Sequence, residues 1–454
     1  TWFSSWLWPM TTMHWLGDGV KEETDDLKAF LPTDLLVTAP DIIFFWVARM
    51  IMATEKFKGQ IPFKDVYFTS TIRDGKGRKL SKSLGNSPDP LNIIDKYSAD
   101  AVRFTMIYLS PLGQDIKMDV DVKKQDIPSM EIGRNFANKI WNAGRFLNLK
   151  ADLVFMQDCC PANEGRKLEE SEMTFADKWI RSRYNHTLQT LDRALNDYKV
   201  NEYSKVLYDF IWRDFCDWFI EIVKVELDDI DETSGKQALM RFAYEIYEGI
   251  LKLLHPVMPF ITEELWHIMY ENDEEKSIST QNAPKPEANL IDSDIESSFA
   301  LLQKVVEEIR SLRASTPSIS PSDKIPLLMS CRNQDQYYIF HSMRSVIAAL
   351  AKCSKVRVEI DAEKPKASLA SVVREIEIYL ELEGQIDISQ ETERMEKEIK
   401  RLEGNIKGSE KKLANEKFVE NAPEEVVNNE REKLESMKNS LEQVKKNLES
   451  LTEK

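Results

Sequence analysis

The sequence predicts a chain of several domains, most of them helical. Three patterns indicate it: mixed helix and strand signals over residues 1–127, long amphipathic helices over 128–272, and a heptad repeat near the C-terminus. The chain has 454 residues, which is enough for about three domains on length alone. We therefore expect a mostly α fold that begins with a partial α/β portion and ends in a helical hairpin.

The first portion, residues 1–127, mixes both kinds of element. The stretch "KDVYFTST" at 64–71 alternates and is rich in β-forming residues, which predicts a strand. Residues 88–109 predict a helix, a turn and a second helix. The longest apolar run, Ile42–Ala53 in "DIIFFWVARMIMA", contains Arg49 and is shorter than the roughly 20 residues that span a bilayer. We expect this run to form a buried helix and expect no membrane partner.

A bundle of roughly five helices is predicted over residues 128–272. Apolar residues there recur at spacings of three and four and mark one helix face: Ile132, Phe136, Ile140 and Phe146/Leu147. Residues 273–299 are polar and contain prolines, which predicts a linker. Residues 300–385 combine a helix with strands such as "KIPLLMS" and "SKVRVEI", which predicts a small α/β module.

The C-terminal segment, residues 386–454, has the plainest pattern. Its first arm steps by four and three residues through Met395, Ile399, Leu402, Ile406, Ser409 and Leu413. Its second arm keeps the register, with Glu430 at the one skipped position, through Val427, Leu434, Met437, Leu441, Val444, Leu448 and Leu451. The break "NEKFVENAPEE" separates the arms, so we expect an antiparallel coiled-coil hairpin. A scaffold that tethers partner proteins by such a hairpin is an alternative interpretation.

Charge and cysteine content limit the classes of function. The net charge of −16 disfavours nonspecific polyanion binding, although a local basic patch is compatible with a nucleic-acid partner. The five cysteines fit no zinc or redox spacing, and their odd number argues against a disulfide framework. The sequence thus indicates a reducing cytoplasm. The five histidines show no metal-binding spacing, so we expect no metal site.

The loop "GRKLSKSLGN", Gly77–Asn86, is the strongest candidate for chemistry. Lys79 and Lys82 supply cations on long stems, and Ser81 and Ser83 add hydroxyl donors. A flexible loop of this composition suits a polyphosphate whose negative charge shifts during a reaction. The spacing is not that of a P-loop. By composition alone, a solvated basic turn is the competing interpretation.

Longer stretches around this loop carry a family resemblance. "KLSKS" resembles the lysine-rich motif of class I aminoacyl-tRNA synthetases, in which Met usually stands at the place of Leu80. Other stretches are similar to valyl-tRNA synthetases in particular: "TWFSSWLWP", "DIIFFWVARM", "GRNFANKIWNAGRF", "LYDFIWRDFCDWFIE", "LLHPVMPFITEELW" and "NEKFVENAPEEVV". The resemblance is strongest in residues 1–272 and 386–454 and weaker in 300–385.

The resemblance implies a fold and a reaction. Residues 1–127 would be the C-terminal part of a Rossmann-like catalytic domain, 128–272 an anticodon-binding bundle, and 386–454 a tRNA-binding arm. Valine would attack the α-phosphorus of ATP to give valyl-adenylate and pyrophosphate, and the valyl group would pass to tRNA(Val). ATP with Mg²⁺ is then a substrate, no bound cofactor is implied, and the family suggests a cytoplasmic monomer.

The resemblance also assigns roles to residues of the first portion. Lys79 and Lys82 match the lysines that stabilise the ATP phosphates as pyrophosphate leaves. Trp2, Ile42 and Trp46 match the apolar walls around the valine side chain. Without the family, both tryptophans would be ordinary core aromatics.

Asp41 lies directly before Ile42, at the start of a predicted helix. It could hold the ammonium group of valine, and an N-cap role for that helix fits equally well.

Contacts with tRNA are implied in two places. In "NFANKIWNAGRF", the residues Lys139, Asn142, Arg145 and Phe146 match positions that face the anticodon, where cations meet phosphates and an aromatic stacks on a base. On the arm, the implied phosphate contacts are Lys407, Lys411, Lys412 and Lys417. The plain alternative is that Phe146 belongs to the core and that these lysines are solvated.

Two parts of the family pattern do not occur in this sequence. No stretch resembles the HIGH motif, whose histidines meet the ATP phosphates, and none resembles the editing domain. Both lie upstream in the family, and the chain begins at Thr1 inside apolar sequence. We therefore expect a C-terminal piece that binds tRNA and is inactive by itself. A related isoleucyl or leucyl enzyme is the alternative within the class.

Overall fold

A computed structural model describes the chain over residues 2–20, 23–155, 166–270, 277–316, 318–384, 388–415 and 424–452. Two compact units can be separated. The first contains Thr1–Leu168, Arg183–Ile220 and Glu232–Ile291, and the second contains Glu169–Ser182, Glu221–Asp231 and Asp292–Lys454. Mostly helical structure with small sheets fills the described part, as the sequence predicts. Among the described residues, no helix is both long enough and apolar enough to cross a bilayer.

The first unit begins with short helices around two small sheets. The helices are α1 (Trp2–Trp6), α2 (Trp8–Thr11), α3 (Asp25–Phe30), α4 (Ala48–Lys58), α5 (Pro90–Tyr97) and α6 (Ala99–Tyr108). The strands are β1 (Thr33–Thr38), β2 (Phe63–Phe68), β3 (Ile72–Arg73) and β4 (Ile116–Lys117). Strands β1 and β2 pair in parallel, and so do β3 and β4. Parallel pairing requires a crossover, which α4 supplies between β1 and β2.

The apolar run at 41–53 departs from expectation. It forms a 3₁₀ turn (Pro40–Ile42), a π-helical turn (Ile43–Val47) and the first part of α4. Only one face is buried, because Val47 and Met50 pack against the β1–β2 pair, whereas Phe44 is 81% exposed and Met52 is 65% exposed. The prediction of a buried helix is therefore wrong for the outer face of this run.

Long helices follow. They are α7 (Glu131–Phe155), α8 (Phe175–Asn196), α9 (Val200–Asp209), a π-helical stretch (Phe210–Phe219), α10 (Ile220–Asp229), α11 (Thr233–Leu254) and α12 (Pro259–Met269). On α7, Phe136, Ile140 and Leu147 are fully buried, which confirms the predicted apolar face. The Tyr247 hydroxyl on α11 donates to the carbonyl of Ile140, 2.9 Å away, and fixes the two helices along their length.

Helix α6 connects the segment with the lysine loop to the helices α7 and α12. Buried Asp100 accepts the backbone N–H groups of Phe260 (3.3 Å) and Ile261 (2.6 Å) at the start of α12. Arg103 donates to the carbonyls of Pro256 (3.0 Å) and Val257 (3.1 Å). These hydrogen bonds satisfy backbone N–H and carbonyl groups around the turn between α11 and α12 that have no partner within the helices.

The second unit contains a four-stranded sheet with helices. Its elements are α13 (Ser293–Ala314), β5 (Ile325–Cys331), α14 (Gln334–Ser342), α15 (Arg344–Ala351), β6 (Cys353–Ile360), β7 (Ser368–Val373) and β8 (Ile376–Glu381). The strand order is β6–β5–β8–β7, with β5 and β6 parallel and the other two pairs antiparallel. Helix α13 packs on β7 and β8, and α15 packs on β6.

Two long helices, α16 (Ile388–Leu413) and α17 (Glu424–Thr452), pack against each other at the end of the chain. Ion pairs join Glu403 to Lys445 and Glu410 to Lys438, each at 2.7 Å, so the helices run in opposite directions. Six of the predicted seam positions are buried, namely Met395, Leu402, Ile406, Ser409, Val427 and Leu451, and the other predicted positions are half-buried. The break at 416–423 lies outside the described residues.

A buried carboxyl pair lies within the second unit. Thr174 and Asp177 form a capping box at the start of α8: Asp177 Oδ2 accepts the N–H and the hydroxyl of Thr174, and Thr174 Oγ1 accepts the Asp177 N–H. Asp177 Oδ1 and Glu226 Oε2 are buried without a hydrogen-bond partner. Burial raises the pKa of both carboxyls, and the Asp177 charge raises the pKa of Glu226 further. One proton shared by the pair would satisfy both oxygens.

Arg181, on the same helix as Asp177, lowers the pKa of Asp177, and Asp229 raises that of Glu226. Because the folded-state pKa values are raised, the pair favours the folded state below the ordinary carboxyl pKa. That contribution is lost as pH rises through the raised values.

We predict that Asp177→Asn makes the second unit less sensitive to pH. The amide keeps an oxygen for the capping box and offers Glu226 a permanent N–H donor. Unfolding by urea should show wild-type stability falling as the pH rises from about 4 through about 6, the raised pKa of Asp177, and the variant should lose less, with a gain on the order of 1 kcal/mol at the upper end. Asp228→Asn, on the exposed face of α10, is the control. Parallel pH profiles for wild type and Asp177→Asn would contradict the shared proton.

Candidate functional site

The lysine loop leaves β3 through a tight turn organised by Asp74. The Asp74 carboxylate accepts the backbone N–H groups of Lys76 (3.0 Å) and Arg78 (2.9 Å), and it also binds the Arg78 guanidinium. Gly77 adopts φ +78° in this turn, a conformation that favours glycine, and donates its N–H to the Asp74 carbonyl. Residues 74–78 are therefore held in one conformation before the lysines begin.

Asn86 closes the other end of the loop. Its side-chain amide donates to Asp74 Oδ2 (3.0 Å) and to the carbonyl of Lys79 (3.2 Å), and its oxygen accepts the Ser81 N–H (2.9 Å). The hydrogen bond from Asn86, followed by that from the Arg78 N–H, holds the pKa of Asp74 well below its usual range. Asp74 thus stays ionised, and the pair acts as a clamp across the loop.

Sequence reasoning missed this clamp. Asp74 and Asn86 are both buried although they lie in a polar, glycine-rich stretch. The available signal was the position of Asn86 directly after Gly85, because asparagine both donates and accepts hydrogen bonds in tight loops.

The two lysines have different surroundings. Lys79 Nζ lies 2.7 Å from Asp41 Oδ2, with both side chains about half exposed, and this bond lowers the pKa of Asp41. Lys82 is exposed, and its ammonium has no partner among the described residues. The hydroxyls of Ser81 and Ser83 lie 2.6 Å apart. One cation is therefore neutralised and oriented, and the other faces solvent.

Asp41 is brought to the lysine loop from a distant part of the sequence. It lies in the 3₁₀ turn directly after β1. Neither that turn nor the π-helical turn after it has a side-chain cap. The structure thus places Asp41 against Lys79 and not in the alternative N-cap role.

The other predicted pocket residues lie on α1 and on the helix after β1. Trp46 is half-buried, donates its indole N–H to the Ser5 carbonyl (3.3 Å) and packs against Trp8 at 5.9 Å between ring centroids. Ile42 is half-buried at the end of the 3₁₀ turn. Trp2 begins α1, but its side chain lies outside what the structure describes. Trp8, which sequence reasoning did not single out, is thus the aromatic that meets Trp46.

A groove of about 600 Å³ also lies beside the loop, between residues 74–86 and 119–128. Its lining carries carboxylates such as Asp119 and Asp121 together with cations such as Arg78. Neither Lys79 nor Lys82 lines it. The groove is therefore separate from the place where these lysines would meet an anion.

On α7, the predicted RNA-binding residues are partly engaged. Lys139 forms an ion pair with Asp217 at 2.6 Å and lies 5.2 Å above the Trp212 ring. Asn142 and Arg145 are exposed, and Phe146 is half-buried. The structure thus leaves polar groups on one exposed face and gives Lys139 a carboxylate partner.

Three of the predicted arm lysines, Lys407, Lys411 and Lys412, are exposed on α16. Lys412 approaches Glu430 of the opposite helix at 3.7 Å. Lys417 lies outside the described residues. Within the described part of the chain, no group of three or more histidine, cysteine, aspartate or glutamate side chains could hold a metal ion.

Comparison with family models divides the chain into three matching stretches. Residues 1–119 match the model of class I tRNA synthetases for isoleucine, leucine, methionine and valine. Residues 177–327 match the anticodon-binding domain of tRNA ligases, and residues 387–452 match the valyl tRNA synthetase tRNA binding arm.

Comparison with curated proteins gives relatives that share nearly the whole chain. It is 45% identical over 430 residues to the valine–tRNA ligase of Chlorobaculum tepidum, a match that covers 94% of this chain and 46% of the relative. It is 40% identical over 435 residues to the valine–tRNA ligase of Synechocystis sp., with the same coverages. The chain thus spans about half the length of the curated relatives it matches.

Comparison with solved structures gives a more distant likeness. A Mycobacterium tuberculosis methionyl-tRNA synthetase in complex with methionyl-adenylate matches with a TM-score of 0.45 and 17% sequence identity. The match covers 57% of this chain and 49% of the other.

Removing the clamp should loosen the loop without unfolding the unit. Asn86→Ala removes the hydrogen bonds that Asn86 makes with Asp74 Oδ2, the Lys79 carbonyl and the Ser81 N–H, and leaves Arg78 on Asp74 Oδ2. We expect hydrogen exchange at Ser81 to accelerate by roughly tenfold or more, since at least one hydrogen bond of about 1 kcal/mol is lost beside a buried charge. Leu84→Ala, at an exposed position of the same loop, is the matched control. Equal exchange rates in the two variants would rule out the clamp.

Proposed function

This chain belongs to the valyl-tRNA synthetase family, and we propose that it forms part of a valine–tRNA ligase. It would contribute the loop that closes on ATP and most of the surface that binds tRNA(Val). The observation that carries the proposal is the "KLSKS" loop, clamped at both ends and exposing Lys82, in a chain that aligns with valine–tRNA ligases over 94% of its length.

The loop can act by electrostatics. When valine attacks the α-phosphorus of ATP, negative charge builds up on the departing pyrophosphate. A cation held near that charge stabilises the transition state more than the ground state. Lys82 has no competing carboxylate among the described residues, so its full charge would be available to the phosphates. ATP would arrive as its Mg²⁺ complex.

Lys79 can act only after its bond to Asp41 is exchanged. Both side chains are about half exposed, so solvent screens the pair and its disruption costs little. Phosphate oxygens would replace the carboxylate at Lys79, and Asp41 would become free to accept the ammonium group of valine. The ion pair thereby couples the predicted amino-acid pocket to the predicted phosphate loop.

The valine side chain would lie against apolar groups next to Asp41. Ile42 follows it directly, and Trp46 is fixed by its hydrogen bond to the Ser5 carbonyl. A β-branched side chain and an indole change conformation little, so they would form a narrow and stiff wall. Trp2 would add a further wall.

The tRNA would contact two separate surfaces. Asn142, Arg145 and Phe146 on α7 would meet unpaired bases and phosphates of the anticodon loop, with Lys139 beside them. The antiparallel pair α16–α17 would act as a coiled-coil arm, whose Lys407, Lys411 and Lys412 contact the phosphate backbone, and Lys417 would extend this set.

Selective tRNA binding tests the proposal on the chain itself. We expect the 454-residue chain to bind a tRNA(Val) transcript more tightly than a tRNA(Phe) transcript by at least roughly tenfold, because anticodon bases are read by stacking and hydrogen bonds. Filter binding at one fixed salt concentration measures the ratio. Equal affinity for the two transcripts would refute a role in charging tRNA(Val).

The role of Lys82 needs the full-length enzyme that contains this sequence. Lys82→Ala should lower the rate of ATP–pyrophosphate exchange by about 10²–10³-fold, the usual loss for one electrostatic contact in a transition state, and should leave tRNA(Val) affinity unchanged. Lys76→Ala, an exposed lysine of the adjoining turn, is the control. Since this sequence contains no HIGH motif, the 454-residue chain alone should show no exchange. Full exchange with Lys82→Ala would remove the lysine from the mechanism.

A further inference from the structure

A second pocket, of about 500 Å³, lies in the second unit between the end of α13, the segment that follows it and the end of α15. Three cations line it: Arg310, Arg313 and Lys352. Its remaining walls are apolar or neutral, and no aspartate or glutamate is among the lining residues. The pocket is therefore basic, although the whole chain has a net charge of −16.

Backbone carbonyls orient all three cations. Arg310 Nε donates to the Leu350 carbonyl at 3.0 Å. Arg313 donates to the carbonyls of Lys352 (3.1 Å) and Asp323 (2.7 Å), and Lys352 Nζ donates to the Pro321 carbonyl at 2.9 Å. Among the described residues, no carboxylate lies within ion-pair distance of any of the three. A carbonyl fixes the direction of a cation without neutralising its charge.

Free donors remain after these bonds are counted. Arg310 uses only Nε, so both of its Nη groups are available, and Lys352 keeps two of its three N–H groups. Arg313 is 91% buried, since its relative exposure is 9%, and it serves as the fixed base of the pocket. Burial raises the pKa of the neighbouring Cys353 thiol to about 11, while the charge of Arg313 opposes that rise.

We propose that this pocket binds a phosphate group. Guanidinium and ammonium groups are the side chains that match phosphate oxygens in geometry and charge. Its volume exceeds that of one phosphate, so the group can carry an attached moiety against the apolar wall of Ile319, Leu350 and Ala351. The phosphate belongs either to a free phosphorylated small molecule or to the RNA backbone. The site does not depend on the proposed ligase activity.

The double variant Arg310→Gln/Lys352→Asn removes the exposed charges and leaves Arg313 in place. Lys352 has φ +53°, a conformation that asparagine tolerates well, so the fold should persist. The control is Lys355→Asn on β6, which removes one exposed cation that does not line the pocket. Circular dichroism checks that all three proteins are folded.

Titration with two different ligands distinguishes a small-molecule phosphate from a phosphate of the RNA backbone. In calorimetric titration of the full chain with inorganic phosphate, the double variant should bind at least about tenfold more weakly than wild type and the control should not. In titration with a tRNA transcript, the salt dependence of log K should become shallower by about 1, the effect of one lost phosphate contact.

A change with inorganic phosphate indicates a small-molecule site, and a change with tRNA alone indicates the RNA backbone. Either result supports the pocket. If neither ligand distinguishes the double variant from the control, the proposal is overturned. A chain that shows no preference for tRNA(Val) but binds phosphate here would refute the proposed function and keep this site.

Discussion

The Asp100 carboxylate is buried between two helices, and its two oxygens accept the first free N–H groups of α12. Burial raises the pKa of this carboxyl, and the N–H groups of Ile261 and Phe260 oppose the rise. Three residues later, Arg103 binds the carbonyls that end the preceding turn. Because both charged groups belong to α6, one short helix satisfies both sides of the turn between α11 and α12. Hydrogen bonds to charged groups contribute about 1.5–3 kcal/mol each, so this contact anchors the lysine-loop segment to the long helices.

Helix α6 also packs closely against α7. A Cβ atom at Gly133 of α7 would lie 2.3 Å from the Ala101 carbonyl oxygen, so only glycine permits this crossing. The Gly133 N–H also donates to the Thr105 hydroxyl at 3.1 Å. Helix α6 thus touches α7 backbone to backbone while its charged residues hold α12. Helices α7 and α12 are therefore both held by one short helix, which is what a site composed of separate segments requires.

Features with local causes could be predicted from the sequence. The paired helices after residue 88, the apolar face of α7 and the seam of α16 follow from spacing, because each depends on neighbours three or four residues away. Pairings across the chain could not be predicted. The bond between Lys79 and Asp41 joins residues 38 positions apart, and the Asp74–Asn86 clamp exists only once the loop has folded back. Phe44 was expected to be buried and is exposed, because the hydrophobic composition of a run does not show which of its faces packs against the sheet.

In the described part of the seam between α16 and α17, the Ser409 hydroxyl donates to the Glu430 carboxylate at 2.8 Å. This bond lowers the pKa of the half-buried glutamate. If one helix slid along the other, that carboxylate would face an apolar side chain and lose its donor. The Ser409–Glu430 hydrogen bond therefore fixes the register of α16 against α17 and limits where either helix can lengthen. Between this hydrogen bond and the helix ends at Ile388 and Thr452, evolution could change the length of one helix only together with an equal change in the other.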